Sequence, residues 1–180
     1  MSSTDSVAGM VSNFSGRIEL AARHVISARE YTMTLLDGLS EDEWFWTPTP
    51  QVSHIAWQVG HLVFAQYGLM LFRQRGRKSE DLELMSGKFR KTFGKGTTPK
   101  PDRTAYPGRD EIMDTLNRIH VQSITELATF DDSELDQEID MPYSTFATRF
   151  GALIFSGDHE MLHAGQIGML RRLMGKDPIR

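Results

Sequence analysis

The sequence predicts an all-α protein, a four-helix bundle with an unusually long connection between its second and third long helices. Three observations carry that expectation. Apolar residues recur at helical spacing in four separate stretches, each bounded by a cap or a stop signal. The one alternating stretch, Ile139 to Phe146, contains Pro142, which argues against a central strand. Finally, the segment from Gln74 to Arg109 is far longer than an ordinary helix–helix loop. Antiparallel neighbours need only a few linking residues, whereas parallel ones need a strap the length of the bundle. An up-down-down-up order follows.

The elements are taken in chain order. Residues 1–12 are small and polar and are expected to fray. Ile18, Ala22, Val25, Ile26, Met33 and Leu36 then mark one face of a helix from about Gly16, which Gly38 stops. Pro48 and Pro50 make the following EDEWFWTPTPQ a linker. Ser53 is the expected cap of a second helix reaching about Arg73, with Trp57 and His61 one turn apart on one face. Gly60, inside that helix, either marks close approach by another element or is simply tolerated there. The strap is rich in Gly, Pro, Lys and Arg, with room for a short helix near Glu80 to Arg90. Asp110 opens the third long helix, carried by Ile112, Leu116, Ile119 and Leu127. Ser144 or Thr145 is the expected cap of the fourth, which Gly175 ends.

Composition narrows the function. The chain has 180 residues, 39% of them hydrophobic, which is enough for a single domain over 1–180 with its own core. The net charge of −4 argues against a dedicated nucleic-acid partner. There is no cysteine, which excludes disulfides, iron–sulfur clusters, cysteine–zinc sites and a cysteine nucleophile. Without a long apolar run or a basic-then-apolar leader, a cytoplasmic protein with no membrane partner is expected.

Among six histidines, His159 and His163 are the informative pair. At i and i+4 they stack on one helix face, about 6 Å apart along the axis. One helix can thereby offer two imidazoles to one metal, and a third ligand must come from elsewhere. The letters also match H-E-x-x-H, the zincin pattern in which Glu160 would be the general base. No histidine follows to complete that motif, and two metal-free helix histidines fit the spacing as well. The candidates for the third imidazole are His24, His54, His61 and His120. His54 and His61 are separated by about 10 Å of helix rise, so one ion does not take both. His61 is preferred because it follows Trp57 and Gly60 on a closely packed helix. His54 sits at the helix start, to contact substrate or to cap. His24 and His120 are assigned to half-buried or solvated positions. Asp158 and Glu160 point about 100° away from His159 and are read as surface charge, while Glu30 is either a cross-helix partner of a ligating imidazole or, as preferred, surface charge too.

At these residues the chain resembles a known family. SHIAWQVGHLVFAQ (53–66) and DHEMLHAGQIGMLRRLMG (158–175) are similar to the DinB-like (YfiT-like) metalloenzyme superfamily. The resemblance implies a left-handed up-down-down-up bundle, commonly dimeric, that binds zinc or nickel through three histidines. It implies His61, His159 and His163 as the ligands, and it matches Gln166 to the glutamine that follows the last of them. Some members resemble thiol-dependent transferases using bacillithiol or mycothiol, others a glutathione- or mycothiol-dependent maleylpyruvate isomerase. One departure is plain: relatives with a GWHxGH second helix carry histidine where this chain has Gln58.

Three neutral imidazoles leave Zn²⁺ or Ni²⁺ an open position, which suits catalysis better than a closed structural site. A chain without cysteine can then run thiol chemistry if the thiol arrives on a small cosubstrate. The expected activity is thiol-dependent transfer to a small organic electrophile, with Gln166 and His54 as candidate catalytic residues. Metal-dependent hydrolysis uses the same position, and a metal-stabilised homodimer with a binding or stress-response role is the non-enzymatic alternative. Two surface features stay open. Arg73, Arg75, Arg77, Lys78, Lys88, Arg90, Lys91, Lys95, Lys100 and Arg103 form either an anion-attracting rim or a solvated face. Trp44, Phe45 and Trp46 either roof the site, seal the bundle end or join an interface.

Overall fold

The computed structural model describes residues 14, 16–141 and 146–179. Among them all regular structure is helical, and extended pairing is limited to an isolated antiparallel bridge between Glu138 and Thr148. The fray expected of residues 1–12 lies outside the described residues, as do Pro142, Ser144 and Thr145.

Helix α1 (Gly16–Leu36) buries Ile18, Ala22, Val25 and Leu35, and the chain turns after it at Gly38, whose φ is 67°. A single-turn helix, α2 (Glu41–Trp44), forms inside the stretch read as linker. Its cause is a capping box: the Ser40 side chain accepts from the Glu43 N–H, and the Glu43 carboxylate accepts from the Ser40 N–H at 2.7 Å. This turn drops Trp44 fully into the core, while Trp46 stays at the surface. Of the three readings of the aromatic trio, Trp44 takes the sealing one.

Helix α3 (Ile55–Arg75) is capped not by Ser53 but by His54, whose Nδ1 accepts from the Trp57 N–H at 3.0 Å. It is long and apolar enough to cross a bilayer, yet 67% of that apolar window is buried inside the protein. From Tyr67 to Phe72 it widens into a π-helical turn before resuming over Arg73–Arg75. The strap then forms two short helices rather than one, α4 (Asp81–Leu84) and α5 (Gly87–Phe93). Ser86 separates them because its side chain caps α5, accepting from the Phe89 N–H at 3.1 Å. Met85, Phe89 and Phe93 are buried, so the strap is part of the core rather than a spacer laid over it.

Helix α6 (Arg109–Leu127) begins one residue before the expected Asp110, and α7 (Arg149–Leu173) begins at Thr148, which accepts from the Gly151 N–H at 3.1 Å. Ser144 and Thr145 precede that cap by three residues or more, so neither is the helix's N-cap. Helix α1 packs chiefly on α7, and α3 packs on α6 and α7. The core has two apolar clusters, one around Trp44, Ile55, Phe93, Leu116 and Ile167, the other around Val25, Met70, Leu127 and Leu153. One buried polar side chain from each long helix joins a network there. Arg29 donates to Glu160 at 2.6 Å and to the Gln66 carbonyl oxygen at 2.9 Å, and the Gln66 amide donates to His120 Nδ1 at 3.1 Å.

Candidate metal centre

Where α3 meets α7, three imidazoles converge. Ring centroids are 5.4 Å apart for His61 and His159, 5.2 Å for His61 and His163, and 4.6 Å for His159 and His163. One ligating nitrogen from each ring lies within 4.8 Å of the others. Nitrogens sharing an ion at about 2.0–2.1 Å are at most about 4.2 Å apart, so the cluster needs only a small closing movement to hold one.

Neighbours fix how the rings face. His61 Nδ1 lies 2.8 Å from the Phe93 carbonyl, which can only accept, so Nδ1 carries the proton and Nε2 presents its lone pair. Trp57 holds the same ring flat, stacked at 4.9 Å and 4°. His163 Nδ1 donates to the Gln58 carbonyl oxygen, while the Gln58 amide donates to Ser53 and, at 2.7 Å, to Gln166. With its amide engaged by two acceptors, Gln58 offers His163 only an oxygen, so His163 too presents Nε2. Such outer hydrogen bonds orient metal-binding imidazoles and set their tautomer.

Burial keeps the rings neutral. It lowers the His61 pKa, brings His159 to about 4 and brings His163 to about 3, with repulsion from neighbouring imidazolium as the lesser cause for the last two. All three are unprotonated at neutral pH, the form a metal requires.

The close approach expected at Gly60 has an identified partner. A Cβ there would sit 2.4 Å from the Phe93 ring. Only glycine lets α5 lie close enough on α3 for the Phe93 carbonyl to reach His61.

The other candidates are placed elsewhere. His54 is buried between Phe45 and Tyr106, with ring centroids at 5.5 and 4.6 Å, and serves as the helix cap. His24 is half-buried and bonds Asp158 at 2.8 Å. His120 is buried rather than solvated, in the Arg29 network. Glu30 is exposed, as expected. Glu160 is not: it is 2% exposed, because its carboxylate pairs with Arg29 instead of facing solvent. That pairing also removes it from the general-base role of the zincin pattern. Gln166 reaches His163 only through Gln58.

The sequence pattern of the DinB superfamily matches residues 24–167. The chain belongs to the DinB superfamily. This DinB-superfamily chain is similar in fold to a conserved protein from Enterococcus faecalis known from its crystal structure, with a TM-score of 0.68. The two are 19% identical, and the match covers 88% of this chain and 97% of that one, a likeness of fold alone. No curated protein matches the chain.

In this DinB-superfamily member the donor set fits a divalent cation: three neutral imidazoles, each with a nitrogen within 4.8 Å of the others. His61 and His159 also line a cleft of about 650 Å³ whose walls include Phe64, Phe72 and Phe155. Two supports of the site went unread in the sequence, the Phe93 carbonyl and the Gln58 amide. The Phe93 carbonyl leaves no trace in side-chain identity, although Gly60 marks where α5 lands. Gln58 stood out only as a departure from a family histidine.

Proposed function

We propose that the protein is a divalent-metal-dependent enzyme of thiol-transferase type, with His61, His159 and His163 holding Zn²⁺ or Ni²⁺. The observation that carries this reading is the convergence of three neutral imidazole nitrogens from two helices, two of the rings lining a cleft with aromatic walls. Bound there, the ion supplies Lewis acidity, lowering the pKa of a thiol or water at its open position. The chain's own residues do the rest. The Phe93 carbonyl and Gln58 hold the Nδ1 protons of His61 and His163, leaving both Nε2 atoms free to bind. Phe64, Phe72 and Phe155 offer apolar surface to the body of a small electrophile and limit the water around it. Because the protein has no cysteine, the thiol comes from a cosubstrate.

The same reading includes the left-handed up-down-down-up arrangement of α1, α3, α6 and α7, supported by the long strap and by membership in the superfamily. It also includes a homodimer, supported by the exposed Leu162, Met169 and Leu173, which share a face of α7. Light scattering on the purified protein tests the dimer; a monomeric mass at micromolar concentration would remove it.

The metal test is elemental analysis of wild type and single variants. H61A, H159A and H163A are expected each to lose most of the bound ion, whereas H24A retains it. Full stoichiometry in all three variants would refute the site. Metal-dependent loss of free thiol in the presence of an electrophile tests the chemistry. Absence of turnover across a thiol and electrophile panel, with metal affecting only the melting temperature, would replace the enzyme by a metal-stabilised bundle.

A further inference from the structure

The cleft lined by His61 and His159 has a second chemical feature. Arg73, Arg77, Arg90 and Lys95 line it, and among the described residues of its wall there is no carboxylate. This concentration of positive charge occurs on a chain with a net charge of −4. The cations arrive from separate places: Arg73 from the end of α3, Arg77 from the start of the strap, Arg90 from α5 and Lys95 from just beyond it. Arg73 and Arg77 share one basic run, so what the fold produces is the meeting of that run with Arg90 and Lys95.

Other charges of that run are used differently. Arg75 is neutralised by Asp81 at 2.7 Å and Glu126 at 2.8 Å, and Lys78 lies 3.9 Å from Glu126. Arg77 and Arg90 have no described carboxylate within ion-pair distance. The same cleft is lined by Phe64, Leu69, Phe72 and Phe155, and Phe72 is 47% exposed despite its size.

We propose that Arg77 and Arg90, with Arg73 and Lys95 beside them, form an anion subsite, so that the small molecule meeting the histidine cluster carries an anionic group on an apolar body. The proposal rests on the enzymatic reading above for the histidines of the cleft, but its test does not. A carboxylate, phosphate or sulfonate fits the subsite. Guanidinium groups bind such oxygens through paired donors, and a cleft with low-dielectric walls strengthens the attraction. The apolar wall covers the body of the same molecule. The arrangement disfavours cationic substrates, which would meet like charge on Arg77 and Arg90.

Matched probes test this. Naphthalene-2-sulfonate and the neutral methyl 2-naphthyl sulfone have similar bulk, and a sulfonate is a poor ligand for zinc. Binding of each is measured by calorimetry on the protein as isolated and after zinc loading, with metal content determined in parallel. At low salt the sulfonate is expected to bind about tenfold or more tightly than the sulfone, a preference that shrinks as salt rises. R77A/R90A is expected to lose most of that preference while binding the sulfone as before, and R77K/R90K is expected to keep part of it. Equal affinity for the two probes, or an undiminished preference in R77A/R90A, would overturn the subsite. Discrimination in protein that takes up no metal would keep the subsite and sink the metal reading, and the converse result would do the reverse. On cobalt-loaded protein, 3-mercaptopropionate and its methyl ester locate the anionic group. Preferential thiolate–cobalt absorption with the free acid assigns it to the thiol, and equal titration assigns it to the electrophile.

Discussion

At the residue scale, one amide decides which nitrogen of His163 faces the cluster. The Gln58 carbonyl oxygen takes the Nδ1 proton because its amide nitrogen is occupied by Ser53 and Gln166. Gln58→Leu keeps most of the bulk and removes that acceptor. Metal affinity is expected to fall about 10–100-fold, as for other outer-sphere partners. Competition with a chromophoric chelator measures it, and an unchanged affinity would strip Gln58 of this role. Glu160 makes the opposite case, a residue beside a candidate ligand whose work is structural. Glu160→Ala leaves the buried Arg29 charge unpaired and is expected to cost about 3–5 kcal/mol in urea unfolding. Replacing both partners, R29M/E160L, is expected to recover most of that loss. A stable E160A that retains metal but loses turnover would return Glu160 to the general-base role.

At the scale of elements, α5 fixes His61 through its last carbonyl, and Gly60 is what lets α5 approach. Gly60→Ala puts a methyl group into the Phe93 ring, which belongs to the core and has little room to retreat. A loss of about 1–3 kcal/mol is expected from overpacking, together with weaker metal binding as the carbonyl moves off His61. Gly165→Ala is the control: on α7 its Cβ meets nothing within 4 Å, and a stability gain of up to about 1 kcal/mol is expected. Thermal melts of both variants, read with metal titrations, separate a packing effect from a helix-propensity effect. The π-helical turn at Tyr67–Phe72 belongs to this scale too. The extra residue in that turn re-aims the side chains beyond it, and Tyr67, Gly68, Leu69 and Phe72 all line the cleft.

At the scale of the whole molecule, three buried histidines (His54, His120 and His163) and two half-buried ones (His61 and His159) make the fold sensitive to mild acid. Burial lowers His61 and, far more, His120, and brings His54 and His159 to about 4 and His163 to about 3. Unfolded, each returns to about 6.5. Between those values the unfolded chain binds more protons than the folded one, so stability is lost as pH falls below about 6.5. Carboxylates act in a lower window. Burial raises the Asp81 pKa, but Arg75, the Lys78 N–H and Tyr67 outweigh it and bring the group to about 2. Its contribution is present above about 4 and disappears as pH falls toward about 2. The metal-free protein is therefore expected to show a falling urea midpoint from pH 7 to pH 5, before carboxylates titrate. A midpoint constant over that interval would contradict the burial of these rings. Proton counting gives a second check. Three ordinary imidazoles would release about two protons on binding metal at pH 6, whereas this cluster is expected to release fewer than one. Calorimetry in buffers of different ionisation heat counts them.

The sequence by itself determined the helical class, three of the four long-helix starts to within a residue or two, and the pair on α7, because these depend on local periodicity. His159 and His163 stack through a covalent spacing of four residues, whatever the rest of the chain does. Gly60 announced a close approach without naming the neighbour, and the S-x-x-E at Ser40 was a legible capping signal that the nearby prolines overshadowed. The tertiary structure decided everything that needed a second segment. It brought His61 to the pair, laid the Phe93 carbonyl and Gln58 against the rings, turned Glu160 inward to Arg29, and gathered Arg73, Arg77, Arg90 and Lys95 at one cleft. Which charges end as neighbours depends on where distant segments pack, and no local pattern in a single chain encodes that packing.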